Sequence, residues 1–163
     1  MTDAVLSLGS NLGDRLATLQ GAVDALRPWL TAVSPVYETP PWGPVPQPHY
    51  LNGVLLVHDA TAAPRDWLAR AQAAEQAAGR TREVRWGART LDVDVIAVGD
   101  ERCDDPELTL PHPRAAERAF VLVPWLAADP HAALAGRSVA DLVRHLPAAE
   151  VAAVHRVPEA VLS

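Results

Sequence analysis

The 163-residue sequence contains no lysine, and its 14 strongly basic residues are all arginine. A chain without lysine cannot form a Schiff base with a substrate, and it cannot supply the lysine of a phosphate-binding P-loop. Any binding of phosphate groups must therefore depend on arginine, on metal ions or on backbone amides.

The sequence also has only one cysteine, no long apolar run and no net positive charge. The single cysteine, Cys103, excludes an intramolecular disulfide and a cysteine metal cluster, which fits a reducing compartment. No apolar stretch approaches the roughly 20 residues of a membrane span. The first residues carry an acid, Asp3, where a secretory signal would carry bases, so we expect a cytoplasmic protein. The formal net charge of −6 argues against a nucleic-acid binder.

Hydrophobic periodicity predicts one α+β domain spanning residues 1–163. The predicted order is β-α-β-β-α-β, which is typical of a ferredoxin-like sandwich with an antiparallel sheet on one side and helices on the other. A hairpin-like stretch through Cys103 and a short helix at 138–146 follow. The predicted strands are 3–9, 31–38, 50–58 and 90–98, and the predicted helices are one capped by Asp14 and one at 62–78, with Thr61 near its cap. Pro35 should confine the second strand to an edge or a bulge.

The connector at 39–49, TPPWGPVPQPH, has five prolines in eleven residues. Such a segment can form neither a helix nor a central strand, so we expect an extended surface loop. It is either a plain linker or, because Trp42 lies among the prolines, a loop that covers a ligand.

Asp92 and Asp94 lie in an otherwise apolar strand, TLDVDVIAV. Alternate strand residues share a face, so the two carboxylates lie side by side with α-carbons about 6.6 Å apart. This spacing suits a pair of divalent cations, whereas a merely solvated face is the alternative. Ile96 and Val98 should continue the same face as apolar residues, which favours the entrance of a buried strand over a polar edge.

Arginine is concentrated immediately before this strand. Four arginines accompany a single acid, Glu83, in a chain that is acidic overall; they are Arg80, Arg82, Arg85 and Arg89. Oxygen ligands beside arginines are what a magnesium–polyphosphate complex requires. The segment therefore predicts a nucleotide site.

Together, six motifs resemble the 6-hydroxymethyl-7,8-dihydropterin pyrophosphokinase family of folate biosynthesis. They are LGSNLGDR (8–15), YETPPWG (37–43), YLNG (50–53), GRTREVRWGARTLDVDV (79–95), LPHPR (110–114) and ERAFVLVP (117–124). The resemblance implies a ferredoxin-like fold and transfer of the pyrophosphoryl group of ATP to the pterin hydroxymethyl oxygen, with release of AMP. It also implies small-molecule substrates only, with no nucleic acid or membrane partner, and we expect a monomer.

The resemblance implies a role for each matching residue. Asp92 and Asp94 would hold two Mg²⁺ ions, and with Arg82 and Arg89 they form the expected catalytic set. The expected ATP contacts are Gln72, Glu75, Arg80, Arg82, Arg85, Trp86, Arg89, the Val95 backbone, Thr109, His112 and Arg118. The expected pterin contacts are Thr39, Pro40, Pro41, Trp42, the stacking pair Tyr50 and Phe120, and the amide of Asn52. Glu83 and Glu107 stand where members can carry basic residues, which favours weaker nucleotide affinity or a rearranged loop.

Two other functions fit parts of the pattern. A D-x-D pair also serves nucleotidyl transferases, which release pyrophosphate where a pyrophosphokinase releases AMP. A non-catalytic ferredoxin-like module would bind a ligand without turnover, but it would need neither paired aspartates nor an arginine loop.

Overall fold

One antiparallel sheet forms the centre of the molecule. The structure, a computed structural model, describes residues 3–41, 44, 46–79 and 90–163. The strands of this sheet are β1 (Asp3–Ser10), β2 (Leu30–Val33), β3 (Tyr37–Thr39), β4 (Tyr50–His58), β5 (Asp92–Val98) and β10 (His155–Arg156). They are ordered β10-β3-β4-β1-β5, and β2 also pairs with β4. The predicted α+β class is confirmed.

Helices α1 (Arg15–Leu26) and α2 (Pro64–Ala77) cover one face of this sheet. Helix α1 begins as predicted, because Asp14 Oδ1 accepts a hydrogen bond from the Ala17 N–H at 3.1 Å. Helix α2 begins two residues later than predicted. Thr61 lies before it and bonds instead to Asp59, and the helix ends before Gly79, whose φ is +73°.

The strand predicted at 31–38 is interrupted at Pro35, so that β2 and β3 lie one after the other beside β4. Ser34 keeps the two strands in register with β4. Its N–H donates to the Val54 carbonyl at 2.9 Å, and its Oγ accepts from the Val54 N–H at 2.8 Å. Proline has no N–H to contribute to a ladder, so the break falls where the sequence predicted an edge or a bulge.

Helix α3 (Ala119–Ala128) packs on the opposite face of the sheet, so the prediction of helices on one side only is wrong. Its sequence, AFVLVPWLAA, is apolar all round and contains Pro124, and it therefore shows none of the periodicity by which a surface helix is recognised. The helix lies between the sheet and α4 (Val139–His145). Burial on several sides explains its composition.

The remaining elements are short. They are the β6–β7 hairpin (Cys103–Asp105 and Leu108–Leu110), the β8–β9 hairpin (Ala133–Leu134 and Arg137–Ser138), and α5 (Ala148–Ala152). The hairpin through Cys103 and the helix near 138–146 were both predicted. None of the helices described is long and apolar enough to cross a bilayer.

Strand β5 contains a bulge that changes which way its later residues face. Leu6 pairs with Val95 and Val5 with Ala97, so Ile96 is the extra residue. Ile96 packs in the core beneath α3, as expected for the face of the aspartates, but Val98 lies in the core beneath α1 and α2. The prediction that Val98 continues the aspartate face is therefore wrong, because a bulge shifts the alternation by one residue.

Candidate active site

Three neighbouring strands place the predicted metal ligand and the predicted pterin-reading amide on one row. Asp92 of β5 is paired with Gly9 of β1, and Gly9 is paired in turn with Asn52 of β4. Residues directly opposite each other in antiparallel strands point to the same face. Strands lie about 4.8 Å apart, so Asp92 and Asn52 are separated by roughly 10 Å across Gly9.

A second row of paired residues lies beside the first and shows which face of the sheet carries the aspartates. Asp94 is paired with Ser7, and Ser7 with Val54. Val54 is buried in the core beneath α3, together with Ile96. Both aspartates and Asn52 therefore lie on the face that α3 partly covers, and they lie beyond the end of its apolar core.

Gly9 keeps the middle of this face open. A Cβ built at Gly9 would lie 3.2 Å from Asn52 Nδ2 and 3.3 Å from Tyr50 Cδ1. Both contacts are tighter than ordinary van der Waals packing, so a side chain here would displace the two residues expected to hold the pterin. The LGSN motif was the sequence signal for this position, but Gly9 itself was not among the predicted site residues.

A cavity of about 350 Å³ opens beside Thr39 and Phe120, and its volume is within the usual range for small-molecule sites. The Oγ1 of Thr39 donates to Asn52 Oδ1 at 2.5 Å, and this buried contact joins the cavity wall to the central row. Among the described residues, four predicted pterin contacts line the cavity: Thr39, Pro40, Pro41 and Phe120. The other lining residues are Ala119, Ala149, Glu150, Ala153 and Val154. The residues from 149 onward had no sequence signal, because their position depends on how the C-terminal segment folds back.

The far end of the proline-rich connector is fastened to the start of α1. Asn11 Nδ2 donates to Gln47 Oε1 at 2.7 Å and to the Pro48 carbonyl at 3.0 Å. One nitrogen of Arg15 donates to Glu38 at 2.8 Å and to the carbonyl of residue 49 at 2.9 Å. These bonds hold residues 47–49 against the β1–α1 turn, which favours a covering loop over a plain linker.

His112 lies at the bulge of β5, with two arginines close by. Its backbone N–H donates to the Ile96 carbonyl at 2.8 Å. Burial lowers the pKa of His112, and the charges of Arg118 and Arg114 lower it further. His112 Nδ1 accepts from the Arg114 N–H at 3.2 Å, so the neutral ring carries its proton on Nε2. The ring is therefore arranged as a neutral donor beside two positive charges, which suits an anionic ligand.

Arg118 connects the two halves of the site. Its guanidinium lies 5.5 Å from the centre of the Phe120 ring, close enough for a cation–π contact. Its charge also acts on His112. The predicted ATP contacts His112 and Arg118 therefore lie together, and Arg118 borders the predicted pterin residue Phe120.

Four further predicted ATP contacts lie among the described residues, on α2, on β5 and in the β6–β7 hairpin. Glu75 is buried, and its Oε2 accepts a hydrogen bond from the Val93 N–H at 3.0 Å, on the outer edge of β5. Gln72 is exposed on the same helix. The Val95 side chain is buried in the core, so only its backbone could contact a ligand. Thr109 is exposed, and its hydroxyl bonds to the Asp105 carbonyl within the hairpin.

Six predicted site residues lie outside the described part of the chain: Trp42, Arg80, Arg82, Arg85, Trp86 and Arg89. Glu107, which stands where family members can carry a basic residue, lies 3.5 Å from a guanidinium nitrogen of Arg65. This ion pair is exposed and offsets part of its negative charge.

The donor set at Asp92 and Asp94 fits magnesium. Both are half-buried carboxylates two residues apart on one strand face, and hard oxygen atoms are the ligands that Mg²⁺ prefers. Within the described ranges no group of three metal-ligating side chains comes together. Mg²⁺ commonly takes only one or two protein carboxylates and completes its shell with water and substrate phosphates, so a pair suffices.

The chain matches the family model of 7,8-dihydro-6-hydroxymethylpterin-pyrophosphokinase over residues 5–130. The chain belongs to this family. A relative from Mycobacterium leprae named 2-amino-4-hydroxy-6-hydroxymethyldihydropteridine pyrophosphokinase is 55% identical over 151 residues, which are 85% of this chain and 78% of the relative. A relative of the same name from Bacillus subtilis is 42% identical over 125 residues, which are 74% of each chain.

Solved structures agree on the fold. This chain superposes on the wild-type HPPK-DHPS protein of Plasmodium falciparum with a TM-score of 0.65. The superposition covers 88% of this chain and 44% of the Plasmodium protein. The sequence identity is only 13%, so this likeness supports the fold alone. The chain spans less than half of that longer protein.

Proposed function

We propose that this chain transfers the pyrophosphoryl group of ATP to 6-hydroxymethyl-7,8-dihydropterin and releases AMP, as a step of folate biosynthesis. Family membership supports the reaction. The observation that supports particular residues is the row Asp92–Gly9–Asn52, in which the carboxylate proposed to bind metal and the amide proposed to bind the ring lie on one face, about 10 Å apart. This spacing leaves room for a hydroxymethyl group between them.

The ATP end of the site lies over β5. Asp92 and Asp94 would hold two Mg²⁺ ions, which would supply charge neutralisation to the triphosphate and lower the pKa of the attacking hydroxyl. His112 Nε2 and Arg118 would donate to phosphate oxygens from the bulge side. Arg82 and Arg89 are the further catalytic residues that we propose, with Arg80, Arg85 and Trp86 completing the nucleotide contacts.

The pterin end lies over β3 and β4. Tyr50 and Phe120 would stack on the two sides of the flat ring, and Asn52 would bond to its edge. Thr39 holds Asn52 in orientation through the 2.5 Å hydrogen bond. Pro40, Pro41 and Trp42 would supply the wall of the pocket. Every proposed contact comes from one chain, so we propose that a monomer is active.

The chemistry needs positioning more than a strong base. The pterin hydroxymethyl oxygen attacks the β-phosphorus of ATP, and the bond from that phosphorus to the oxygen bridging it to the α-phosphorus breaks. The hydroxyl proton is released, and AMP leaves with the bridging oxygen. Holding the two substrates in line can contribute roughly 7–11 kcal/mol to lowering the barrier. We propose that this alignment is made along the row Asp92–Gly9–Asn52.

Product analysis tests the proposal. Purified protein is incubated with ATP, Mg²⁺ and 6-hydroxymethyl-7,8-dihydropterin, and the nucleotides are separated by chromatography. We expect AMP to accumulate in proportion to the pterin consumed, and to disappear when EDTA is added or the pterin omitted. Release of free pyrophosphate would point to nucleotidyl transfer. Pterin binding without any turnover would point to a binding module.

A further inference from the structure

Arg15, the first residue of α1, joins the two ends of the proline-rich connector. Its Nη1 nitrogen donates both to Glu38 Oε2 at 2.8 Å and to the His49 carbonyl at 2.9 Å. Glu38 immediately precedes the connector, and His49 is its last residue before β4 begins. One side chain of α1 therefore spans the mouth of this loop.

The contacts of Arg15 lie beside the last pair of the β3–β4 ladder. Thr39 is paired with Tyr50 there, and the next pair inward is Glu38 with Leu51. Leu51 packs in the core beneath α1 and α2, so Glu38 points to that face as well, and Thr39 and Tyr50 point to the face of the site. Arg15 thus holds, from the closed face, the end of the ladder that carries two proposed pterin contacts on its open face.

The spacing of this last pair matters for a third residue. Thr39 donates to Asn52 Oδ1 at 2.5 Å, so a shift of Thr39 away from β4 would also release the amide of Asn52. The ladder ends at Thr39 and Tyr50. Their separation therefore depends on what holds the chain next to them, and Arg15 contacts the neighbouring residue on each strand.

The stability of α1 does not explain an arginine at this position. The first turn of α1 has no acidic residue, and a positive charge there opposes the helix macrodipole, which costs the helix some stability. The ion pair with Glu38 stabilises the fold in return, but its side chains are 31% and 39% exposed and solvent screens the attraction. Two small effects of opposite sign should leave overall stability nearly independent of Arg15.

We propose that Arg15 is a positioning residue of the pterin site: it holds the end of the β3–β4 ladder together and so keeps Thr39, Tyr50 and Asn52 in the arrangement that binds the ring. The proposal rests on the proposed function, since it assumes that these three residues bind the pterin. Arg15 acts through Glu38 and the His49 carbonyl, and it is not itself proposed to touch a substrate.

Calorimetric binding tests the assignment without any turnover. The protein is saturated with Mg²⁺ and α,β-methylene ATP, whose α–β link cannot be cleaved, and titrated with 6-hydroxymethylpterin. We expect Arg15→Ala to weaken pterin binding roughly 5- to 20-fold, because both contacts at the mouth of the connector are lost. The affinity for α,β-methylene ATP should stay within about twofold, and the melting temperature within about 3 °C.

Two conservative variants separate the contacts. Arg15→Lys should restore part of the pterin affinity, because an ammonium group can still donate to both oxygens. Glu38→Gln should weaken pterin binding less than Arg15→Ala does, because it leaves the bond from Arg15 to the His49 carbonyl in place.

Arg27→Ala is the matched control. Arg27 follows the last residue of α1 and makes the same kind of double contact through one nitrogen, to Asp24 Oδ1 at 2.6 Å and to the Ser163 carbonyl at 2.7 Å. It lies at the opposite end of α1 from Arg15. Its removal should leave the affinity for the pterin unchanged.

Two results would overturn the assignment. One is an unchanged pterin affinity in Arg15→Ala; the other is an equal loss of pterin and nucleotide affinity with a large fall in melting temperature, which would indicate a general structural effect. Either result can coexist with pterin-dependent AMP release by the unmodified protein, and the proposed function would then stand. If the unmodified protein neither binds the pterin nor forms AMP from it, the proposed function fails, and the assignment of Arg15 fails with it.

Discussion

The two faces of the central sheet differ in what their side chains do, although the same strands supply both. Beneath α1 and α2, residues such as Leu6, Leu8 and Val93 form a closed apolar core. On the other face, the residues next to them in sequence are Gly9, Asp92 and Asp94. One face therefore supplies folding energy, and the part of the other face left open by α3 is available for chemistry. Substitutions should separate the two.

The largest expected effect is on the open face. Asp92→Ala or Asp94→Ala should lower Mg²⁺-dependent AMP formation by about 10³-fold or more, because the metal supplies several kcal/mol of charge stabilisation. The free energy of unfolding should change by about 1 kcal/mol or less. Rate assays and denaturant titrations measure the two quantities.

Asp104→Ala is the matched control, because Asp104 is an exposed aspartate in the β6–β7 hairpin. It should leave the rate unchanged. Retained turnover in both Asp92→Ala and Asp94→Ala would remove the metal assignment.

The opposite result is expected on the closed face. Leu19 of α1 is fully buried, so Leu19→Ala should lower the free energy of unfolding by about 2–5 kcal/mol. At a temperature where the variant stays folded, kcat should remain within about twofold, since α1 lies across the sheet from the site. Urea titration and the AMP assay check the pair, and Val161→Ala, at a position 68% exposed, serves as the control. A large drop in kcat with unchanged stability would contradict the division between faces.

Substituting Gly9 tests whether the open space next to Asn52 and Tyr50 is used by the substrate. Gly9→Ala should raise the KM for the pterin roughly tenfold, because the new methyl group would press on Asn52 and Tyr50. A Cβ at Gly21 would meet nothing within 4 Å, and Gly21 lies within α1. Gly21→Ala should therefore stabilise the fold by about 0.5–1 kcal/mol without changing KM. Steady-state kinetics that gave both variants the same KM would show that the space above Gly9 is not used.

The smallest expected effect concerns pH. In the free protein the pKa of His112 is lowered by burial and by two arginines, so the ring is mainly neutral near pH 7. A bound triphosphate would raise that pKa, so the complex would take up a proton and nucleotide affinity should increase as pH falls from about 8 to about 6. His112→Asn should flatten this dependence and weaken binding a few-fold, whereas His131→Asn, at an exposed position, should do neither. Calorimetry with α,β-methylene ATP measures the dependence. A pH profile that is equally steep without His112 would exclude the ring as the proton acceptor.

Strong local signals made much of the fold predictable. Asp14 as the cap of α1, β4 at 50–58 and the break near Pro35 follow from hydrogen bonds or steric limits within a few residues. Helix α3 was not predicted, because a segment buried on several sides loses the polar stripe by which a helix is recognised. The bulge at Ile96 was missed for a related reason: it depends on how β5 pairs with β1, and a change of register leaves no mark in the composition of β5.

The candidate site likewise has residues that were predicted from the sequence and features that only the structure shows. Asp92 and Asp94 were named from their spacing on one strand, whereas Asn52 and His112 were named from the resemblance of their motifs to the family. The separation of Asp92 from Asn52 across one glycine, the neutral donor form of His112 and the presence of Glu150 at the cavity could not be read from the chain. The first and the last depend on neighbours distant in sequence, and the form of His112 depends on its burial in the fold together with the nearby Arg114 and Arg118.

The sequence by itself determined the family, the order of the main elements up to β5 and the kinds of group available for catalysis, since these follow from residue type and spacing along the chain. Only the tertiary structure decided which of those groups meet. The sheet brings β1, β4 and β5 side by side in one register, and the C-terminal segment returns to close the cavity. Contacts between residues so far apart in the sequence depend on how the whole chain packs, and no local sequence pattern predicts them.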